Sequence, residues 1–222
     1  MAISGFPKFK QYTEAQMPLA TAVSIGTEVF NTTYQVKMRS NGTSWEWLGI
    51  GKSTWANKPA TAPLGQIICV TDIGENGILC RGNGTKWVRF HPTILYNLDT
   101  PVVLTGTTAE TTLLTITIPA DLMGKKGRLN LLSFFALTNN ANNKTLRAKI
   151  GANTLNVSGA ASLAATGFNF WLLNLNSATA QRNNYSTSFA IDTTVSMDLI
   201  ITGQLANAAD SMTLNALTLE LT

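Results

Sequence analysis

The sequence has little of what enzymes and metalloproteins are built from. It contains one histidine, His91, so any histidine-dependent nucleophile or metal site would have to use that single side chain. The 12 acidic residues are scattered and form no Asp-x-Asp or Glu cluster, although Asp192 and Asp198 flank one predicted strand. No glycine-rich phosphate loop leads from a strand into a helix. The sequence therefore predicts a protein that is not an enzyme, with no catalytic residues, no metal and no cofactor.

Long apolar runs are also missing. No segment approaches the roughly 18 consecutive apolar residues of a membrane-spanning helix, and residues 1–10 lack the apolar stretch of a secretion signal. We therefore expect a soluble protein without membrane insertion.

Only two cysteines are present, Cys69 and Cys80, and neither has a histidine or cysteine nearby to complete a zinc site. They lie symmetrically about the turn at 72–77, which predicts that they face each other on adjacent strands. A cross-strand disulfide is geometrically possible. Two small buried apolar residues are the favoured interpretation for a protein made in a reducing cytoplasm.

The net charge of +4 is modest and unevenly distributed. Residues 1–97 contain 9 Lys and Arg against 5 Asp and Glu, whereas residues 98–222 contain 7 of each. The split indicates a domain boundary. Because the basic residues form no dense run, we expect no nucleic-acid partner.

A short pattern occurs twice. Residues 36–47 and 78–89 align without a gap, with Arg, Asn-Gly-Thr and Trp in register. Asn-Gly between alternating segments is a strong hairpin signal, and a two-residue loop at 41–42 would pair Met38 with Trp45. An internal repeat of this kind is typical of modules along an elongated structural protein.

The fold class predicted for the whole chain is all-β, with two small antiparallel β-meander modules followed by a jelly-roll-like β-sandwich. From residue 98 onward, about nine strand-like segments are separated by Gly, Asn and Asp clusters, and no helical periodicity of useful length appears. The predicted segments are an extended N-terminal arm (1–24), a first module (25–53), a linker (54–63), a second module (64–97) and the sandwich (98–222).

Two predicted strands of the sandwich, 129–137 and 167–175, are apolar on both faces. Only one face of each sheet in a sandwich meets the core, so the second apolar face needs another cover. Association of subunits is the favoured cover. The candidate interface residues are Phe134, Phe168, Phe170 and Trp171.

Two Asn-rich loops provide the remaining polar surface. Asn clusters are first of all turn formers, and that interpretation is favoured. The functional alternative is a carbohydrate contact in which Tyr185 stacks on a sugar and the amides pair with hydroxyl groups. The candidate receptor contacts are Asn139, Asn140, Asn142, Asn143, Arg182, Asn183 and Tyr185.

Several of these motifs resemble one family. The runs 118–124, 127–129 and 138–147 are similar to the C-terminal sandwich domains of bacteriophage tail-fibre, spike and head-fibre proteins. The Gly-Thr-x-Trp hairpins, together with the segment 59–66, resemble the small β-modules that phage fibres place before their tips. The resemblance covers roughly 25–222. It implies a homotrimeric protein of the virion, made in the host cytoplasm.

The function expected from the sequence is that of a trimeric short fibre or spike. Its partners would be itself, other virion proteins and a host-surface polysaccharide or lipopolysaccharide bound by the C-terminal tip. The alternative is a capsid decoration protein, a head fibre that stabilises the shell without binding a receptor. Residues 1–24 show no pattern that would bury them in this chain, so Phe6, Phe9 and Tyr12 are the candidate virion anchor.

Overall fold

The computed structural model describes residues 9–74, 77–90 and 92–222. Within these ranges the regular structure is β-strand, apart from two single turns of 3-10 helix at Glu14–Gln16 and Ala20–Ala22. The all-β prediction is confirmed. The chain divides into two compact units, Met1–His91 and Pro92–Thr222. His91 itself and the anchor candidate Phe6 lie outside the described residues.

The first unit contains two four-stranded sheets that are copies of one structural repeat. The first sheet holds β1 (Lys10–Tyr12), β2 (Glu28–Asn31), β3 (Val36–Ser40) and β4 (Trp45–Trp47), and the second holds β5 (Gly51–Ser53), β6 (Ile67–Val70), β7 (Ile78–Gly82) and β8 (Trp87–Arg89). In each sheet the first strand is parallel to the second and the remaining pairs are antiparallel. The repeat therefore differs from the predicted antiparallel meander by one added parallel strand.

The copies agree in single contacts as well as in topology. The indole Nε1 of Trp45 donates to the carbonyl oxygen of Pro18 at 2.8 Å, and Trp87 donates in the same way to Pro59 at 2.8 Å. A partly buried indole N–H needs an acceptor, so this bond ties the segment before each hairpin onto the hairpin.

Residues 10–24 belong to the first copy, which corrects the predicted arm. β1 pairs with β2, and Ala20 is buried. Tyr12 packs on the small core of the first sheet, while the Phe9 ring lies 4.3 Å from the ammonium of Lys37. A three-residue strand that pairs across a long connection has no periodicity of its own, so the sequence pattern did not indicate it.

The hairpin loops are four residues long, which corrects the predicted two-residue turn. Met38 pairs with Trp47, two positions away from the expected partner. The side-chain oxygen of Asn41 accepts two backbone N–H groups of the loop at 2.8 and 2.9 Å, and positive φ occurs at Gly42. The loop at 83–86 repeats this arrangement. Asparagine therefore acts here through its side chain, as in an Asx turn.

The two cysteines do not face each other. Cys80 pairs with Ile68 and Cys69 pairs with Leu79, so the thiols lie on opposite faces of the sheet, and both are free. Burial raises the pKa of the Cys80 thiol to about 11. The expectation of a facing pair was wrong, and Cys80 serves as a small buried residue.

Trp47 joins the two copies of the repeat. Its ring stacks on Tyr34 with centroids 5.6 Å apart and meets Trp87 of the second copy at 6.0 Å. The indole lies directly over Gly51, where an added Cβ would come within 2.2 Å of the ring. Glycine is therefore required at position 51 by this close approach.

The second unit is a sandwich of two sheets. Its strands are β9 (Thr93–Asn97), β10 (Val102–Thr105), β11 (Thr111–Ile118), β12 (Arg128–Leu137), β13 (Lys144–Ile150), β14 (Asn153–Ala160), β15 (Ala165–Thr166), β16 (Asn169–Asn174), β17 (Gln181–Asn183), β18 (Ser188–Phe189), β19 (Met197–Leu205) and β20 (Ser211–Leu221). The larger sheet has the order β10-β20-β12-β16-β17-β18, with β9 also paired to β20 and β15 to β12. The smaller sheet has the order β11-β19-β13-β14.

This strand order is that of a jelly roll. With the additional strands β9, β15, β17 and β18 set aside, eight strands remain, four in each sheet. The first of them, β10, lies beside the last, β20, and the second, β11, lies beside the second-last, β19. Two Greek keys generate this arrangement, so the jelly-roll prediction is confirmed.

The core of the sandwich contains three aromatic rings in edge-to-face contact. Phe168 lies 5.9 Å from Phe135 and 6.3 Å from Phe170 between ring centroids. Phe168 and Phe170 are 1% and 3% exposed, so they lie in the core of the sandwich. The prediction that they form a subunit interface is therefore wrong. Phe134 and Trp171 lie on the outer face of the larger sheet.

We predict that Gly51→Ala destabilises the first unit because the new methyl group displaces Trp47 from its contacts. Overpacking of this kind costs about 1–3 kcal/mol. Gly49→Ala is the matched control, because a Cβ there meets Val36 at an ordinary 4.0 Å. Urea unfolding of the full chain, followed by tryptophan fluorescence, measures both. Equal midpoints for the two variants would contradict the prediction.

Candidate functional site

Four connections between strands meet at one end of the sandwich, which we call the four-loop end. They are residues 106–110, 138–143, 161–164 and 206–210. Backbone hydrogen bonds link the loops, from Gly106 N to Ala208 O at 3.0 Å and from Ser162 N to Asn140 O at 2.6 Å. The jelly-roll topology therefore builds one continuous surface from segments that are far apart in sequence.

A buried ion pair lies beneath this surface. The side chains of Lys144 and Asp210 are 1% and 4% exposed, with Nζ 3.5 Å from Oδ2. Asn140 bridges them, because its Oδ1 accepts from Lys144 and its Nδ2 donates to Asp210 Oδ1 at 2.6 Å. Lys144 also donates to the carbonyl oxygen of Asn142 at 2.8 Å. Two loops are thus joined through charges that water does not reach.

The hydrogen bond from Asn140 is the main reason that the pKa of Asp210 lies below its ordinary value, and the ammonium of Lys144 lowers this pKa further. Asp210 Oδ2 accepts no hydrogen bond from the described part of the chain. Oδ2 is instead stabilised by the charge of Lys144, whose Nζ lies 3.5 Å away, while Oδ1 accepts the hydrogen bond from Asn140.

The asparagines of the loop 138–144 fall into two groups: two hold the loop together and two face solvent. Asn140 and Asn142 are half-buried and hold the loop together, with Asn142 N donating to Asn140 Oδ1 at 3.1 Å. Asn139 and Asn143 are exposed. Of the four candidates in this loop, these two are the ones that present their side chains to solvent.

The second Asn-rich loop, which contains Arg182, Asn183 and Tyr185, is not part of the four-loop end. Asn183 is 2% exposed; its Oδ1 accepts from the backbone of Tyr185 at 3.1 Å and its Nδ2 donates to Leu155 O at 2.9 Å. Asn183 is therefore a buried turn residue, and the prediction that it contacts a receptor is wrong. Arg182 is exposed and Tyr185 is 57% exposed, at the edge formed by β17 and β18. The structure does not place Tyr185 among the four loops.

The outer face of the smaller sheet is polar. Glu110 forms ion pairs with Lys149 and with Arg147 at 3.3 Å, and it accepts a hydrogen bond from Thr202 at 2.6 Å. The hydrogen bond from Lys149 is the largest cause of a lowered pKa at Glu110. A charged surface of this kind is stable in contact with water.

The outer face of the larger sheet is different. Leu132 and Phe134 are 59% and 50% exposed and lie on the same face of β12, where Phe134 pairs with Ala216. Ile94 on β9 and Val103 on β10, two strands that pair with β20 rather than with β12, are also exposed and lie opposite Glu220 and Thr213. Grouped apolar side chains on one side of a sandwich indicate a contact surface.

Neither carboxylate considered in the sequence forms part of a catalytic pair in the described residues. Asp192 accepts from Thr194, and Asp198 accepts from Thr117 at 2.7 Å. Over the same residues, no group of three or more His, Cys, Asp and Glu could hold a metal ion. No helix among them is long and apolar enough to cross a membrane.

No protein-family model matches this chain, and no curated protein matches its sequence. Among solved structures, it is similar to infectious bursal disease virus of the Gx strain, with a TM-score of 0.33 and 12% identity over 85% of this chain and 41% of that chain. The VP2 subviral particle of the same virus gives 0.32 and 13% over 83% and 42%, and the Gt strain gives 0.32 and 12% over 90% and 46%. The chain spans less than half the length of the solved chains that it matches. At these TM-scores the likeness says nothing about what the chain does.

We predict that Asp210→Asn lowers the melting temperature of the sandwich by several degrees, because it leaves the buried ammonium of Lys144 without a counter-charge. The double variant Lys144→Met with Asp210→Asn should regain most of the loss. The exposed Asp198→Asn is the control. Melting monitored by circular dichroism tests this, and a double variant no more stable than the single one would contradict it.

The same pair predicts a dependence on pH. Because the folded pKa of Asp210 is lowered, its stabilising effect is fully present above the unfolded value, near 3.8, and is lost as the pH falls through the folded value. The difference in melting temperature between the native chain and Asp210→Asn should therefore shrink in acid. A difference that stays constant down to the lowest pH at which the chain folds would contradict this assignment.

Proposed function

We propose that this chain is a non-enzymatic structural protein of a bacteriophage particle, a short homotrimeric fibre or spike. Its N-terminal part is held by other virion proteins, and its sandwich faces the host surface. The proposal is supported by the resemblance of its sequence motifs to phage fibre proteins. The order of the parts, a repeated β-module followed by a jelly roll, is consistent with that resemblance.

The contrast between the two outer faces of the sandwich is the observation on which the trimer depends. The outer face of the smaller sheet carries the ion pairs of Glu110 beside the exposed Val157, whereas that of the larger sheet carries the exposed Leu132 and Phe134. Removing apolar area from water contributes about 25 cal/mol per Å². Three copies that pack their larger sheets together would remove this surface from water and leave the polar sheets outside.

The direction of the chain supports the four-loop end as the tip. β9 and β10 both run antiparallel to β20, with Thr93 opposite Leu221 and Thr105 opposite Ser211. The chain therefore enters the sandwich at the end where β20 finishes, and the four loops lie at the other end. The four-loop end is thus the end of the sandwich that is remote from the point at which the chain enters it.

The tip offers groups that suit a host-surface polysaccharide or lipopolysaccharide. The exposed amides of Asn139 and Asn143 can each donate to and accept from hydroxyl groups. The buried Lys144 and Asp210 hold the loop in place beneath them, which reduces the ordering cost of binding. Arg182 and Tyr185 would contact a ligand only along the side of the sandwich.

We predict that the native chain sediments as a trimer and that Phe134→Asp sediments as a monomer, because a charge on this face cannot be buried without a partner. Thr115→Asp is the control on the exposed outer face of the smaller sheet, and it should remain trimeric. Sedimentation velocity at micromolar concentration measures all three. A native chain that is already monomeric would end the trimer proposal.

We also predict that the double variant Asn139→Ala with Asn143→Ala reduces binding of the purified chain to host cells by at least about tenfold, since several polar contacts are lost together. Asn153→Ala, at the opposite end of the sandwich, should bind as the native chain does. Unchanged binding of the double variant would rule out the tip as the attachment surface. A chain that coats the capsid and binds no host cell would favour the decoration protein.

A further inference from the structure

A groove lies between the two copies of the repeat in the first unit. It encloses about 710 Å³, with residues 44–47 of the first hairpin on one wall and residues 63–67 on the other. A deeper cavity of about 140 Å³ shares Trp45, Trp47 and Gln66 with it. The volume of the groove is typical of sites for small ligands.

Two tryptophans form one side of the groove. Trp45 and Trp47 are alternate residues of β4, so their rings lie on the same face of the strand, and both are half-buried. Trp45 is fixed by its hydrogen bond to Pro18, and Trp47 is fixed by its stacking on Tyr34. The rings are therefore held in place before any ligand arrives, which reduces the entropic cost of binding.

Gln66 adds an unused hydrogen-bond acceptor. Its Oε1 is buried and accepts no hydrogen bond from the described part of the chain. An unpaired buried acceptor is costly, so a rotation of the Gln66 side chain that turns Oε1 into the groove, where a ligand donates an N–H or O–H to it, would recover that cost. This group points to a ligand independently of the aromatic rings.

Trp47 of the first copy and Gln66 of the second copy are not part of the pattern that the copies share. The position of Trp47 is taken in the second copy by Arg89, and the position that corresponds to Gln66 in the first copy is Thr27. Trp47 and Gln66 therefore occur together once, at the junction, where Trp47 also packs the two copies against each other.

The rim of the groove is apolar and exposed. Ile50 and Leu64 line it and are 51% and 80% exposed. The groove thus combines flat rings, an acceptor for a donor group and apolar side chains that suit a methyl group. We propose that it binds a saccharide bearing acetamido groups, whose ring C–H faces stack on the indoles and whose amide N–H donates to Gln66. This site is separate from the four-loop end and does not depend on the function proposed above.

Titration of the full chain with chitotetraose, the β-1,4-linked tetramer of N-acetylglucosamine, tests the proposal. Tryptophan fluorescence and calorimetry should both report binding. Cellotetraose has the same linkage without the acetamido groups, and it should bind at least about tenfold more weakly because it lacks the amide donor and the methyl group. No binding of chitotetraose at millimolar concentration, or equal binding of both sugars, would overturn the proposal.

Substitutions at Gln66 locate the site. Gln66→Leu removes the acceptor at similar size and should weaken chitotetraose binding about tenfold, whereas Gln66→Glu keeps an acceptor and should retain most of it. Tyr185→Ala, in the second unit, should leave binding unchanged. Native affinity in Gln66→Leu, with an unchanged unfolding midpoint, would overturn the assignment of the acceptor. A loss in Tyr185→Ala would overturn the location.

Discussion

Every strand of the sandwich sends alternate side chains to opposite faces, and this constraint governs the rest of the structure. On β12 it places Phe135 in the core and Phe134 outside it. The smaller sheet has apolar residues on its inner face and ion pairs on its outer face. The larger sheet does not, since both of its faces contain apolar residues. An apolar outer face needs a cover, and a second and third copy of the chain would provide one.

The alternation was predictable from the sequence, but its direction was not. In the strand that contains Phe168, Phe170 and Trp171, both sets of alternating residues are apolar, so the pattern shows that two faces exist and not which one is inside. The Phe135–Phe168–Phe170 contact decides this, and it depends on residues from distant strands. The jelly-roll class could be predicted because turn residues separate the strands at regular spacing.

The repeat was also predicted only in part. The Asn-Gly-Thr-x-Trp pattern identified both hairpins, but the loop length depends on Asn41 bonding the backbone through its side chain, which the dipeptide alone does not specify. β1 was missed because its partner, β2, lies across a long connection. The Lys144–Asp210 pair had no local signal either, since the fold brings together two loops that are distant in sequence.

At the four-loop end, neighbouring asparagines differ in their surroundings. Asn140 bridges a buried lysine and aspartate, whereas Asn139 and Asn143 project into solvent. The sequence shows four similar asparagines, and only their surroundings distinguish them. The buried Lys144–Asp210 pair fixes the loop beneath the exposed amides.

Electron cryomicroscopy of the purified chain tests the central claim most directly, because it shows which sheets meet. The account predicts a particle with threefold symmetry in which the larger sheets face the axis, Leu132 and Phe134 are buried between copies, and the smaller sheets face solvent. Copies that meet through their smaller sheets, or single unassociated chains, would contradict it.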